Sequence, residues 1–145
     1  MIGNVDMNAS ELEKLEQTLG DLRARLERAF GPDTAAPGFA GHARSTGHCA
    51  AVSVIVSKLL GAAMVSAKIQ GQSHWFNRID VGAEQYDLDL TGDQYGFPAV
   101  RYTHADKLYT GTRVRSYQDV NAETLERARV LAQRAGFSEI AATLQ

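Results

Sequence analysis

The chain contains a single cysteine among its 145 residues. One thiol cannot form an internal disulfide, so the fold needs no oxidising compartment and we expect a cytoplasmic protein. No run of about 18 apolar residues is present, and the first ten residues lack the basic start and apolar centre of a secretory signal. Fifteen basic residues oppose 17 acidic ones, for a net charge of −2. This balance argues against a nucleic-acid binder or a basic membrane-surface protein, because both need a strong positive field.

The length and composition predict one globular domain over residues 1–145. A chain of this size hides roughly 68–70% of its unfolded surface, and its 44% of apolar residues is ordinary globular usage. Within the domain we expect an N-terminal helix at about 10–30, a core at about 45–118 and a C-terminal helix at about 121–135.

The N-terminal helix is indicated by its capping residues and by one apolar seam. Ser10 and Glu13 can form a capping box at its start, and Gly31-Pro32 can end it. Two interpretations stay open, since the seam can dock on the domain's own core or pair with a second copy in a homodimer. The seam recurs at steps of three and four residues: Leu12, Leu15, Leu19, Leu22 and Leu26.

A buried central helix is predicted from Cys49 onwards. The sequence there is apolar on almost every side until Gly61, which can end the helix. Ser45 or Thr46 can cap its start.

Strands are predicted over 63–70, 73–79 and 84–90, and residues 91–107 are expected mainly as loop. The fold class that follows is α+β. An antiparallel sheet of three to five strands packs on the central helix, which carries Cys49 at its N-terminus, and the terminal helices surround it.

Cys49 occupies a chemically favourable position. A helix start supplies partial positive charge and free backbone N–H groups, which favour a thiolate and can bind an oxyanion. The structural alternative is a small apolar side chain packed at the start of a helix.

His74 and Asp89 fall on the two strands of a predicted hairpin. With a loop at Asp80–Ala83, His74 faces Asp89, and both point to the same side of the sheet. A carboxylate there orients the imidazole ring and stabilises its charged form. A slip of two residues would bring Asp87 opposite His74 instead, so Asp87 is the reserve candidate.

Cys49, His74 and Asp89 together follow the Cys-His-Asp logic of acyl transfer, in which a thiolate forms a thioester that water or an amine resolves. The sequence therefore predicts a cysteine hydrolase or acyltransferase that uses no cofactor. It acts on an amide, isopeptide or thioester bond of a peptide, protein or small amide. Protease, amidase and deamidase activities are not separated.

The order of these elements resembles the papain-like and transglutaminase-like folds. Three segments more closely resemble the small bacterial and phage YunG-like proteins. That family has a Gly-Gln-Cys-Ala element, a Ser-His-Tyr-Trp-Asn-like strand and an Asp-Leu-Thr-x-x-Gln-Phe segment. Here the corresponding segments are Ser45-Thr46-Gly47-His48-Cys49-Ala50-Ala51-Val52, Ser73-His74-Trp75-Phe76-Asn77-Arg78 and Asp89-Leu90-Thr91-Gly92-Asp93-Gln94-Tyr95.

The resemblance implies a papain-like cysteine-hydrolase fold and adds further site candidates. His48 stands where the family usually has Gln, so it can replace an oxyanion donor or face solvent in a loop. Gln94 can donate a hydrogen bond near Cys49. Asn77 can tie the hairpin together or contact the substrate.

Other site types find less support. A metal site lacks paired Cys-x-x-Cys or His-Glu-x-x-His ligands, although four residues can converge on paper: His42, His48, Cys49 and His74. Basic and aromatic residues interleave near the C-terminal half, which we interpret as a solvated edge strand or loop rather than a nucleic-acid surface. They are Arg101, Lys107, Arg113 and Arg115 with Tyr102, Tyr109 and Tyr117. The competing function is a catalytically inactive binding module, such as a bacterial or phage interaction or inhibitor protein that keeps the fold.

Overall fold

The computed structural model describes residues 2–39 and 41–144, with side chains from residue 9 onwards. It is an α+β structure with one antiparallel five-stranded sheet. The helices are α1 (Ile2–Ala29), α2 (Cys49–Leu60), α3 (Ala122–Arg134) and α4 (Ser138–Thr143). The strands are β1 (Ala63–Ile69), β2 (Gln72–Val81), β3 (Glu84–Asp89), β4 (Arg101–His104) and β5 (Arg113–Arg115), and two short 3₁₀ turns lie at Gly92–Tyr95 and Tyr117–Asp119.

The sheet has the strand order β4-β3-β2-β1-β5. The three central strands correspond to those predicted from the sequence, whereas the two edge strands fall where loop or a solvated edge was expected. Both edge strands are short, at four and three residues, and this gives little hydrophobic alternation for a sequence pattern to register.

The two faces of the sheet are covered differently. One face contributes Met64, Tyr86 and Leu88 to the main core, where α1, α2 and α3 pack. The other face carries a smaller cluster of buried side chains, namely Val65, Ala67, Phe76 and Tyr109. His74 and Phe76 are two residues apart on β2, so His74 lies on the side of this smaller cluster.

The α1 helix is longer than predicted and begins at Ile2 rather than near residue 10. The capping box expected at Ser10 and Glu13 therefore lies inside the helix. Capping residues can also continue a helix when nothing breaks it, and no proline or glycine occurs between residues 4 and 19.

The leucine seam of α1 packs on the domain itself. Leu19, Leu22 and Leu26 are buried in the main core, and Leu12 and Leu15 pack partly buried against it. This arrangement agrees with the docking interpretation, while the homodimer stays a prediction. Within the described residues, no helix is long and apolar enough to cross a membrane.

The β2–β3 hairpin differs from the predicted register by two residues. Val81 faces Glu84, so the loop consists of Gly82 and Ala83 alone. The predicted four-residue loop at Asp80–Ala83 is wrong, because Gly82 adopts a φ of 61° and closes the tighter two-residue turn. A shift of two preserves side-chain parity, so every residue keeps the face that the sequence assigned to it.

The start of α2 also differs from expectation. Its N-cap is His48, and neither Ser45 nor Thr46 caps the helix. The hydroxyl of Ser45 instead donates to the carbonyl of Thr91 at 3.2 Å and to Asp93 at 2.5 Å. It thereby ties the segment before α2 to the turn after β3. In α3 the side chain of Asn121 caps the helix, since it accepts from the N–H of Thr124 at 2.8 Å.

Candidate active site

Cys49 is the first residue of α2 and is 2% exposed. The first N–H groups of a helix have no partner within the helix and carry partial positive charge. The thiol therefore lies at the end of α2 where a negative charge is best stabilised, at the junction of the loop and the central helix.

His74 lies near the start of β2 and is fully buried. Its Nε2 lies 2.8 Å from Oδ2 of Asp89. The rings of Tyr95 and Tyr109 contact the imidazole edge-on, with centroids at 5.0 and 5.3 Å. These contacts leave the ring little freedom to rotate away from Asp89.

The charge state of His74 depends on its two partners. Burial acts to lower the pKa of His74, but hydrogen bonds to Asp89 and to the thiol of Cys49, with the attraction of their charges, raise this pKa to about 9. Since Nε2 is occupied by Asp89, Nδ1 is the nitrogen available to the thiol. His74 thus interacts with Asp89 through Nε2 and is influenced electrostatically by Cys49.

Asp89 contacts His74 along a diagonal of the sheet rather than directly across it. The β2–β3 register continued by one step places Phe76 opposite Asp89, and diagonal neighbours remain within reach of long side chains. The predicted pair is therefore present despite the incorrect register, because the turn of the chain after Asp89 directs the carboxylate towards the ring.

The carboxylate of Asp89 accepts from three residues. Its Oδ2 accepts from His74 and from the hydroxyl of Tyr109, while Oδ1 accepts from the N–H of Thr91 at 2.9 Å. Burial acts to raise the pKa of Asp89, but the hydrogen bonds and charge of His74, with those from Tyr109 and Thr91, lower it overall. Asp89 is consequently ionised at neutral pH although it is 1% exposed.

Gly92 makes room for this arrangement. A Cβ atom at residue 92 would lie 3.0 Å from Oδ2 of Asp89 and 3.4 Å from the hydroxyl of Tyr109. Any side chain there would push directly on the oxygen that His74 binds.

Gln94 links His74 to the segment that precedes Cys49. Its Nε2 lies 3.2 Å from Nδ1 of His74, and its Oε1 accepts from the N–H of Gly47 at 3.2 Å. An amide nitrogen can only donate, so this contact requires an unprotonated Nδ1. The raised pKa of His74 favours the charged ring at neutral pH, and in that form Nδ1 donates instead of accepting from Gln94, with the thiolate of Cys49 as the acceptor in the proposed site.

Asp87 lies two residues before Asp89 but does not contact His74. It accepts from Nε of Arg78 at 2.6 Å, from Nη2 at 3.1 Å and from the N–H of Asp106 at 2.8 Å. The reserve candidate of the sequence is therefore part of a separate ion pair.

Asn77 and His48 also point away from the thiol. The amide of Asn77 donates to the carbonyls of Ser53 and Ala63, so it ties β2 to α2 and β1. Nε2 of His48 lies 2.7 Å from the hydroxyl of Thr34, and its ring stacks on Phe30 at 4.1 Å. Its Nδ1 lies 3.1 Å from the carbonyl of Thr46, so both ring nitrogens of His48 already have partners, and the oxyanion role stays a prediction.

Three residues at the site were missed by the sequence analysis. Tyr109 binds Asp89, Arg101 binds Tyr109, and the hydroxyl of Tyr95 is buried without a hydrogen-bond partner in the described structure. Burial, then the charges of Cys49 and Asp89, raises the pKa of Tyr95 to about 12. For Tyr109 and Arg101 the signal was the alternation of basic and aromatic residues, which does not indicate burial, and for Tyr95 it was the third segment of the family resemblance.

The described residues also bear on the metal hypothesis. Across residues 2–39 and 41–144, no three His, Cys, Asp or Glu side chains are grouped in a way that could hold a metal ion. The orientation of His48 accounts for part of this, since it separates that ring from Cys49 and His74.

Comparison with known proteins identifies a family. The sequence model of the YunG protein family matches residues 18–135, a region that contains Cys49, His74, Asp89 and Gln94. No curated protein and no solved structure shows significant similarity to the chain.

Proposed function

Since this chain belongs to the YunG family, we propose that its matched region forms a cysteine hydrolase or acyltransferase. The observation that carries the proposal is the buried imidazole of His74, whose Nε2 lies 2.8 Å from Asp89 and whose pKa is raised, against the effect of burial, by Asp89 and Cys49. A papain-like or transglutaminase-like relationship is part of the same proposal. It is supported by the order of a helix that starts with the thiol, then a strand with the histidine, then a strand with the carboxylate.

The reaction begins with proton transfer from Cys49 to Nδ1 of His74. The thiolate attacks the carbonyl carbon of an amide, isopeptide or thioester, and a C–S bond forms as the carbonyl π electrons move to oxygen. When the tetrahedral intermediate collapses, the bond to the leaving group breaks. The imidazolium of His74 returns the proton to the departing amine or thiol, and a thioester on Cys49 remains.

The second half of the reaction releases the acyl group. Water, or an amine in the transferase case, attacks the thioester while His74 removes its proton. The C–S bond breaks, the acid or new amide leaves, and Cys49 regains its proton from His74. Asp89 remains ionised throughout, because its role is to orient the ring and stabilise the imidazolium.

The oxyanion is stabilised by the start of α2. The first N–H groups of α2, which starts at Cys49, have no partner within the helix. Backbone donors of this kind lower the activation barrier without having to reorganise. The substrate class is a peptide, a protein or a small amide. The lone cysteine is suited to a reducing compartment, so the proposal includes a cytoplasmic location.

Activity-based labelling tests the proposal. Electrophilic amide and thioester probes are expected to label Cys49 at neutral pH, and Cys49→Ala is expected to abolish the label. His74→Ala is expected to reduce the labelling rate strongly between pH 6 and 8, whereas the matched control His104→Ala changes an exposed histidine that pairs with Glu84. Labelling that rises only above pH 8 and is unaffected by His74→Ala would contradict the pairing.

One observation favours a second function. The thiol is 2% exposed and the imidazole is fully buried, as they would be in a protein that keeps the fold but binds a partner without catalysis. For such a binding module, folded protein resists all probes at neutral pH, and Cys49→Ala leaves partner binding unchanged.

A further inference from the structure

Tyr109 makes a contact that the proposed reaction does not require. Its hydroxyl donates to Oδ2 of Asp89, the same oxygen that Nε2 of His74 contacts. Tyr109 is 5% exposed and its ring packs on Phe76 at 5.1 Å. The phenol is thus fixed by packing, and its single proton is directed at the carboxylate.

A permanent cation lies behind the phenol. Nη2 of Arg101 donates to the hydroxyl of Tyr109 at 2.6 Å. Its guanidinium lies over the rings of Phe97 and Tyr109, at 3.9 and 5.1 Å from their centroids. Arg101 also pairs with Asp89 in the β3–β4 register, so the backbone positions the cation beside the carboxylate it influences.

The charges at the site show why such a cation matters. With the proton on His74, Cys49 and Asp89 carry two negative charges against one positive imidazolium. An arginine keeps its charge at every relevant pH, and donation from Arg101 polarises the O–H of Tyr109 towards Asp89. The titratable groups facing the His74–Asp89 pair are Cys49 from α2, Tyr95 from the 3₁₀ turn, Tyr109 from the β4–β5 loop and, through Tyr109, Arg101 from β4.

From this geometry we infer that Tyr109 and Arg101 are positioning residues that share the carboxylate of Asp89 with His74 and limit how tightly the pair retains its proton. Two donors share Oδ2, and each withdraws negative charge from it. When the phenol is removed, His74 becomes the only side-chain donor on that oxygen and binds it more strongly. The guanidinium acts in the same direction, since a nearby cation disfavours a second positive charge on the ring. The inference rests on the proposed function only for its catalytic consequence.

The test is an NMR titration of the His74 ring, which needs no substrate. We expect Tyr109→Phe to raise the pKa of His74 by about one unit and Arg101→Gln to raise it by less. Arg101→Lys keeps the positive charge, so the pKa of His74 in this variant is expected to stay close to the wild-type value. The matched control is Tyr86→Phe, which removes a phenol that also donates to a carboxylate, that of Glu84, away from His74.

Each outcome is decisive. A pKa of His74 in Tyr109→Phe that equals the value in Tyr86→Phe, or that falls, overturns the inference. If Tyr109→Phe does not fold, which its melting curve reports, Arg101→Gln against Arg101→Lys provides the same comparison. If the expected shifts occur while no probe labels Cys49, the positioning role stands and the proposed acyl-transfer function fails.

Discussion

Two aspartates on β3 occupy almost identical positions and have different chemistry. Asp87 and Asp89 are two residues apart on the same face, and they are 0% and 1% exposed. Asp87 is bound by the guanidinium of Arg78, whereas Asp89 is bound by the imidazole of His74. The two aspartates therefore differ in the residue that binds them, and not in the carboxylate or in its burial.

The difference between the partners lies in their protons. Arg78 is always charged and binds Asp87 through two nitrogens, so that pair is a fixed connection between β2 and β3. His74 can lose and regain a proton, and Cys49 contributes to its raised pKa. In the proposed reaction, Asp89 therefore belongs to a proton-transfer system, because its cationic partner can titrate.

Removal of residues 1–30 is expected to have the largest effect, because it unfolds the chain and so disrupts both the Asp87–Arg78 and the Asp89–His74 pairs. The three buried leucines of α1 contribute roughly 1.5–3 kcal/mol each, comparable in sum with a whole domain's roughly 5–15 kcal/mol. Arg23 also binds the carbonyl of Leu90 at 2.7 Å and Asp93 at 2.8 Å, just after Asp89. Circular dichroism should show an unfolded chain. A folded monomeric truncation from a dimeric full-length protein would instead assign the seam to dimerisation.

Asp89→Asn is expected to slow the labelling of Cys49, whereas Asp87→Asn is not. The amide leaves His74 free to adopt the wrong tautomer, which costs about 10⁴ in turnover in the serine-protease triad. We expect a loss of that order in the probe-labelling rate of Cys49 in folded protein, together with a lower melting temperature, because the buried charge that stabilises protonated His74 is removed. Equal labelling rates in Asp89→Asn and Asp87→Asn would show that the site works as a thiol–imidazole pair without an orienting carboxylate.

Asp87→Asn is expected to lower the free energy of unfolding without changing the labelling rate of Cys49. It replaces two charge-assisted hydrogen bonds from Arg78, and such bonds contribute roughly 1.5–3 kcal/mol each. Asp106, which Arg78 also contacts at 3.0 Å, offsets part of the loss, so we expect unfolding to become easier by about 2 kcal/mol. Urea denaturation measures this change, and the labelling rate of folded protein should match wild type. A reduced labelling rate in fully folded Asp87→Asn would mean that the Asp87–Arg78 pair influences Cys49.

The pH dependence of stability gives a further comparison of the two aspartates. Burial opposes the shift, but Asp89 and Cys49 raise the pKa of His74 to about 9 from an ordinary 6.5. A raised histidine pKa stabilises the fold fully below about pH 6.5, and this contribution is lost as the pH rises through about 9. The free energy of unfolding should fall across this range in wild type and equally in Asp87→Asn, which leaves His74 and Asp89 in place. The same fall in Asp89→Asn would contradict the assignment.

The sequence predicts on which side of the sheet a residue lies better than it predicts which residues pair across β2 and β3. The assignment of His74 and Asp89 to one face depended only on the two-residue period of strands, and it is unchanged by the shift at Gly82. The choice between Asp87 and Asp89 depended on the loop length, which was incorrect, and on the family resemblance. The observed pair depends instead on the backbone turn after Asp89, which no strand pattern encodes.

The contributions of Tyr109, Arg101 and Gln94 to the site differ in how far the sequence could indicate them. Gln94 was a candidate through the resemblance alone. Tyr109 and Arg101 lie in or beside short edge strands, where neighbouring side chains are decided by tertiary packing rather than by local propensity. Similarly, His48 was a candidate because it stands where the family usually has Gln, but its side chain lies against Phe30 and Thr34.

The burial of Cys49 has a kinetic consequence. A thiol that is 2% exposed can meet a reagent only during a local opening of the surrounding structure, as a buried amide does in hydrogen exchange. At low reagent concentration, the labelling rate then reflects the equilibrium fraction of open molecules. At high concentration it reaches a plateau equal to the opening rate itself, whatever the chemical strength of the reagent. The height of that plateau would measure how often this molecule exposes its thiol to the outside, and hence the fastest rate at which any substrate could reach it.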